Sequence, residues 1–241
     1  GKPARLWLEA GGWGLEAPDS YSPPMDSRRW EIATEYVGTV FGNEDQMLLD
    51  LKRSAIDEGI PDWAVTSDLG RLLLVLAKTT PGRRALEIGT LGGYSTIWIA
   101  RGMQPDGAVT TIEMDDQHAD FAERQFARAG LAERITVLRG PALDVLPEFI
   151  RENPPGSIDL VFIDADKESY SEYYRLTRNL VSPGGLLLVD NILGTGSTWI
   201  GDGSRQSAAT DEMNRMAAAD PDFDVAGVFV RQGLLVARRR E

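Results

Sequence analysis

Cysteine is absent from the 241 residues and histidine occurs once. The first absence excludes disulfides, iron–sulfur clusters, thiolate metal sites and a cysteine nucleophile. The second excludes a zinc site built on imidazoles. Any metal here would be held mainly by oxygen. Long apolar runs are missing too: no stretch approaches the roughly 18–20 consecutive apolar residues of a membrane span. No signal-peptide pattern is seen either, so the expectation is a cytoplasmic chain without a membrane partner. Basic residues are in deficit, with 25 Lys and Arg against 37 Asp and Glu and a net charge of −12. A surface that negative repels polyphosphate, which makes nucleic acid an unfavoured partner. Against these absences stands a 42% hydrophobic content with all three aromatic types. That is enough apolar material for one sizeable buried core.

The first thirty residues differ from the rest. Trp7, Trp13 and Trp30 stand among Gly11-Gly12, Pro18 and Pro23-Pro24 with neither helical nor strand periodicity. They read as an arm, residues 1–30, preceding a single domain, residues 31–241. The arm is either loosely packed and extraneous to the domain or docked on the body or on a second subunit. From Ser27 onward helical patterns begin, and helices are expected over 44–58 and 68–78. The texture then alternates. Strands are expected at 84–89, 108–114, 135–139, 158–163 and 185–190, with helices at 94–102, 117–129, 143–151 and 170–180 between them. Such alternation means right-handed βαβ units and a mainly parallel sheet with helices on both faces. After a helix at 206–219, strands 223–230 and 234–239 flank Arg231-Gln232-Gly233 and read as a hairpin, which adds an antiparallel final strand.

The first strand runs into Glu87-Ile88-Gly89-Thr90-Leu91-Gly92-Gly93-Tyr94-Ser95. Glycines at such a turn let a ligand approach the main chain and the helix N-terminus. Glu113 ends the next strand, twenty residues beyond Gly93. That is where α/β nucleotide binders place a carboxylate on ribose hydroxyls. The glycines do not follow G-x-G-x-x-G, and Glu87 would set a carboxylate at the pocket mouth. That suits the ammonium and sulfonium of S-adenosylmethionine better than a pyrophosphate, so the methyl donor is preferred to NAD and a dehydrogenase is disfavoured. The plainer alternative is a strand–helix turn with a solvated Glu87.

Two later strands end in Phe162-Ile163-Asp164-Ala165-Asp166-Lys167 and Val189-Asp190-Asn191. Carboxyl ends of parallel strands form the ligand crevice. If these strands are neighbours, Asp164, Asp190 and Asn191 converge as hard oxygen ligands suited to Mg²⁺, with Mn²⁺ or Ca²⁺ as alternatives. A cation chelating two adjacent oxygens lowers a hydroxyl pKa for methyl transfer, and Lys167 could take the proton. Lone acids at strand ends are common; the D-A-D-K and D-N pair is more specific. Otherwise Lys167 is a surface lysine opening a helix. His118, on the helix after Glu113, is expected to be solvated.

Together L-E-I-G-T-L-G-G-Y-S, T-I-E-M, R-G-P-A-L-D-V-L-P, F-I-D-A-D-K and V-D-N resemble the cation-dependent O-methyltransferases of the caffeoyl-CoA and catechol type, over about residues 31–240. The resemblance implies a Rossmann-like, seven-stranded class I methyltransferase fold. It also implies S-adenosylmethionine as donor and a homodimer. It would put Glu87, Gly89, Thr90 and Ser95 at the donor's methionine part, Glu113 on the ribose and Ala142 by the adenine. Asp164 and Asp166 would lie near the donor, and Val65 would make a backbone contact to it. Asp164, Asp190 and Asn191 would hold the metal, and Lys167 would be the base, with Asp164 beside it in catalysis. Two departures bear on the acceptor. The segment after V-D-N reads Ile192-Leu193-Gly194-Thr195-Gly196, followed by a glycine-rich loop, Ser197–Gly203, carrying Trp199. No basic residue matches one for coenzyme A. The expected acceptor is therefore a small phenolic, catechol-like vicinal diol. The alternative acceptor is a hydroxylated tRNA base, which would need a local basic patch such as Arg28-Arg29, Arg83-Arg84 and Arg238–Arg240. A non-catalytic ligand sensor on the same fold is the remaining reading.

Overall fold

Each strand–helix alternation in the sequence becomes a parallel βαβ step in the computed structural model, which describes residues 27–196 and 198–241. The expected arm lies outside the described residues except for 27–30, which are helical rather than irregular. Two compact units are defined, residues 1–35 and 36–241. The described part of the first, residues 27–35, is the beginning of α1 (Ser27–Phe41).

In the second unit α2 (Gln46–Asp57) and α3 (Ser67–Thr79) precede the sheet. The alternation follows as β1 (Arg84–Ile88), α4 (Tyr94–Gly102), β2 (Ala108–Glu113), α5 (Asp116–Arg128) and β3 (Ile135–Arg139). It continues through α6 (Ala142–Glu152), β4 (Ile158–Ile163), α7 (Tyr170–Thr177) and β5 (Val181–Asp190). A two-residue pair, β6 (Gly194–Thr195) and β7 (Thr198–Trp199), leads to α8 (Arg205–Ala218), β8 (Phe223–Val228) and β9 (Leu234–Arg239).

The seven-stranded sheet has the order β3-β2-β1-β4-β5-β9-β8, with β9 antiparallel to both its neighbours and every other pairing parallel. The chain winds outward from β1 to β3, then returns to lay β4 on the other side of β1. A crevice opens beyond the carboxyl ends where the winding reverses. Burial on both faces follows from the alternation of side chains along each strand. Leu160, Phe162, Leu186 and Leu188 join a core with α2–α5, where Leu48, Leu73, Trp98 and Phe121 are buried. Val161, Ile163, Leu187 and Val189 join the opposite core with α6–α8, where Leu146, Tyr174 and Met213 are buried.

Several expected boundaries move, most by one or two residues. The helix expected over 170–180 ends at Thr177 and tightens into a 3₁₀ turn over Arg178–Leu180, where Asp220 grips Arg178 at Nε–Oδ2 2.5 Å and Nη2–Oδ1 2.7 Å. β5 starts at Val181 instead of 185, because Val181 pairs with Ile158 before a register shift lets Leu160 pair with Leu186. The strand expected to reach 230 stops at Val228, since the Val230 N–H turns back to the Val228 carbonyl. The loop expected at 197–203 contains β7, paired with β6 through Gly194 and Trp199.

Asp159 ties the β4–β5 irregularity to the start of β1. Its Oδ2 accepts the backbone N–H groups of Arg83 (2.8 Å) and Arg84 (3.1 Å), and its Oδ1 accepts the Ser182 hydroxyl at 3.0 Å. Removing a buried acceptor leaves several donors without partners. Asp159→Ala is therefore expected to lose about 2–4 kcal/mol in urea unfolding. A loss below about 1 kcal/mol would contradict this role.

Candidate active site

The crevice is built from strand ends that lie level with one another. Ile88 is in register with Ile112 on one side and Ile163 on the other, so Gly89, Glu113 and Asp164 all follow at the same height. The Gly89 N–H donates to the Ile112 carbonyl and the Asp164 N–H donates to the Ile88 carbonyl. Gly89 sits at φ +97°, and a Cβ there would come within 2.1 Å of the Asp164 carbonyl oxygen. Gly93, which opens α4 at φ +80°, has the Phe126 ring 2.4 Å from where a Cβ would be. Both positions require glycine for conformation and for space. Between them the loop is fastened by Glu113, whose Oε2 accepts the N–H groups of Thr90 (3.2 Å) and Leu91 (2.7 Å). The Asp115 N–H bonds its other oxygen at 3.0 Å.

Glu87 is 0% exposed. Its carboxylate accepts the Ser95 hydroxyl at 2.6 Å, the Thr111 hydroxyl at 2.7 Å and the Thr96 hydroxyl. The plainer expectation of a solvated Glu87 is thereby overturned: the side chain follows the strand's inward face into the core. Burial pushes its pKa up to about 7 from 4.5, against the pull of the three hydroxyls. A donor ammonium reaching Glu87 would share it with these hydroxyls. Thr90 is buried, with its hydroxyl 2.6 Å from that of Thr111, and Ser95 is half-buried. Val65 is buried immediately before α3, and Ala142 is the half-buried first residue of α6.

On the other side of the crevice Ile163 is in register with Val189, which sets Asp164 and Asp190 side by side at the ends of β4 and β5. Asn191 follows at φ +58°, where Asn is better tolerated than most side chains. Lys167 is 8% exposed and donates to Asp164 Oδ1 at 3.0 Å and to the Tyr170 hydroxyl at 2.5 Å. The surface reading of Lys167 fails. Tyr170 in turn donates to the Asp190 carbonyl at 3.0 Å, closing a chain from one strand end to the other. Asp166, which is exposed, accepts the Tyr173 hydroxyl at 2.5 Å.

Asp190 is 0% exposed, and burial together with the Asp164 charge pushes it up to about 7, while Arg231 and Lys167 pull it down. Arg231 Nη1 lies 3.1 Å from its Oδ2, whereas its Oδ1 is buried without a hydrogen-bond partner. No three His, Cys, Asp or Glu side chains gather into a metal cluster among the described residues. The candidate set is instead two carboxylates and one amide. An unpartnered buried carboxylate oxygen beside a second carboxylate fits a hard divalent cation.

His118 corrects another expectation. Its side chain is 19% exposed, so only partly solvated, with Nδ1 3.7 Å from Glu113 Oε1. Sequence reasoning missed Thr96, Thr111, Tyr170, Arg231 and Gln232. Tyr170, three residues after Lys167, carried a helical-spacing signal that could have found it. The others approach from separate elements.

Residues 39–240 match the O-methyltransferase family, and the chain belongs to it. It is 38% identical over 190 residues to a catechol O-methyltransferase of Mycobacterium tuberculosis, covering 79% of this chain and 84% of the relative. A catechol O-methyltransferase of Niastella koreensis is 37% identical over 172 residues, covering 71% and 77%. The fold is similar to that of a Streptomyces achromogenes O-methyltransferase involved in tomaymycin synthesis, solved in complex with SAM. The TM-score is 0.78 at 32% identity, covering 90% of this chain and all of that one. The Rossmann-like methyltransferase fold is therefore present, as expected.

Glu87 supplies a stability test. The native state keeps a proton that the unfolded chain releases between pH 4.5 and about 7. Its contribution is fully present below pH 4.5 and is lost as pH rises through 7. Wild type should lose about 2–3 kcal/mol relative to Glu87→Gln between pH 5 and pH 8 in denaturant unfolding. A pH-independent difference would contradict the buried, proton-holding role.

Proposed function

We propose that the protein transfers a methyl group from S-adenosylmethionine to one hydroxyl of a small catechol-like vicinal diol, with a divalent cation at Asp164, Asp190 and Asn191. The observation that carries this reading is the position of Asp164. Its main chain abuts Gly89 in the glycine loop, and its side chain meets Lys167 and stands beside Asp190. Donor loop and oxygen cluster thus share one residue. The names of the two catechol relatives and the donor-bound Streptomyces structure support the same assignment.

The bound partners supply an electrophilic methyl group and a cation that acidifies and orients a chelated diol. The remaining work falls to this chain. Glu113, held at both oxygens by backbone amides of Thr90, Leu91 and Asp115, serves the ribose side of the donor pocket; Val65, Gly89, Thr90, Ser95, Ala142 and Asp166 form or border that pocket. Lys167 takes the hydroxyl proton, and its ammonium is retained by Asp164 Oδ1 and Tyr170. Tyr170 positions Lys167 by anchoring to the Asp190 carbonyl. The hydroxylated tRNA base gains no support from the catechol relatives, and the net charge of −12 opposes it.

S-adenosylhomocysteine release should occur with catechols in Mg²⁺, stop in EDTA, and be absent with singly hydroxylated analogues. Asp164→Ala should lower turnover by about a hundredfold or more at saturating donor. Full activity of that variant in chelator would reject the cation mechanism. Tyr170→Phe should lower kcat by about tenfold, with little change in donor affinity and a shifted pH–rate profile. An unchanged profile would remove its positioning role.

A further inference from the structure

The turn between β8 and β9 lies against two of the proposed cation ligands. Arg231 holds Asp190 Oδ2 at 3.1 Å, and the neighbouring Gln232 Oε1 accepts the Asn191 amide at 3.3 Å. Two of the three candidate ligands are therefore engaged by adjacent residues of one turn. The turn is fixed to the ligand segment by its backbone, with the Ile192 N–H on the Gly233 carbonyl at 3.1 Å and the Leu193 N–H on the Gln232 carbonyl at 2.9 Å. Arg231 sits at φ +51°, in the left-handed region that a long side chain adopts only at a cost. A strained backbone that aims a guanidinium at a fully buried carboxylate points to a role at that carboxylate.

A guanidinium stays charged at any working pH, so it cannot release Asp190 by losing a proton. A divalent cation and a guanidinium on the same carboxylate repel each other, most strongly where water is excluded. The Arg231 side chain is 22% exposed, against 0% for Asp190, so it has a route outward that the carboxylate lacks.

We propose that Arg231 is a built-in counter-ion for the cation site. It neutralises Asp190 through Oδ2 when no divalent ion is bound, and its charge opposes an ion that binds the free Oδ1. This sets the cation affinity lower than the ligands alone would give. The inference rests on the cation reading above and adds a residue that controls occupancy of the site.

The test is Mn²⁺ binding at pH 8, followed by the electron paramagnetic resonance signal of free Mn²⁺, with wild type, Arg231→Gln and Arg231→Lys. Arg231→Gln removes the charge at similar length, and Arg231→Lys retains it. Expected is Mn²⁺ binding about five- to tenfold tighter in Arg231→Gln and within about twofold of wild type in Arg231→Lys. A second readout uses thermal unfolding: Mn²⁺ should raise the Tm of Arg231→Gln more than that of wild type. Binding by all three proteins with Arg231→Gln no tighter than wild type would overturn the counter-ion role while leaving the cation reading intact. Equal tightening in both variants would overturn the charge argument. Absence of Mn²⁺ binding in wild type and both variants would overturn the cation reading and this inference with it.

Discussion

The close approach of Gly89 to the Asp164 carbonyl is the constraint on which the site depends. Parallel pairing of β1 with β4 brings the two strand ends to the same height, and only a residue without a side chain lets the glycine loop pass there. The same register carries Asp164 alongside Asp190 on β5. Widening the gap between β1 and β4 would pull the donor loop away from the oxygen cluster. Both halves of the proposed chemistry therefore hang on one backbone contact, and the rest of the sheet serves to hold it.

Holding it means burying acids. Glu87 and Asp190 are each fully buried on strands packed on both faces, and each is pushed toward pH 7. The two are handled differently. Three hydroxyls surround Glu87 and fix it as part of the loop's foundation. Asp190 keeps one oxygen without a partner and meets a strained arginine on the other. One carboxylate is satisfied by hydroxyls of the chain itself, whereas the other, left half-satisfied beside a second carboxylate, keeps an oxygen free for a ligand.

Much of this was legible in the residue order. Strand alternation and the terminal hairpin gave the sheet, because continuous apolar runs such as Leu160–Ile163 can only be central strands when helices separate them. Glu113, Asp164, Asp190 and Asn191 were readable because they end strands, and strand ends have a fixed place in such sheets. Illegible were the contacts made by tertiary approach. Thr96 and Thr111 reach Glu87 from α4 and β2, and Arg231 reaches Asp190 across forty-one residues. The Arg231-Gln232-Gly233 link was readable as a hairpin turn, but nothing in its sequence marks a positive φ at arginine. The early start of β5 was hidden because Pro183 and Gly184 ordinarily signal a turn, and here they accommodate a register shift.

The most direct test of the shared donor and cation site is a crystal structure with S-adenosylhomocysteine and Mn²⁺, with the ion located by anomalous scattering. The account predicts one Mn²⁺ bound by the side chains of Asp164, Asp190 and Asn191, and the ligand's ribose on Glu113 with its amino acid end at the glycine loop. Mn²⁺ bound elsewhere, or bound without Asp164 while the ligand occupies the loop, would contradict it.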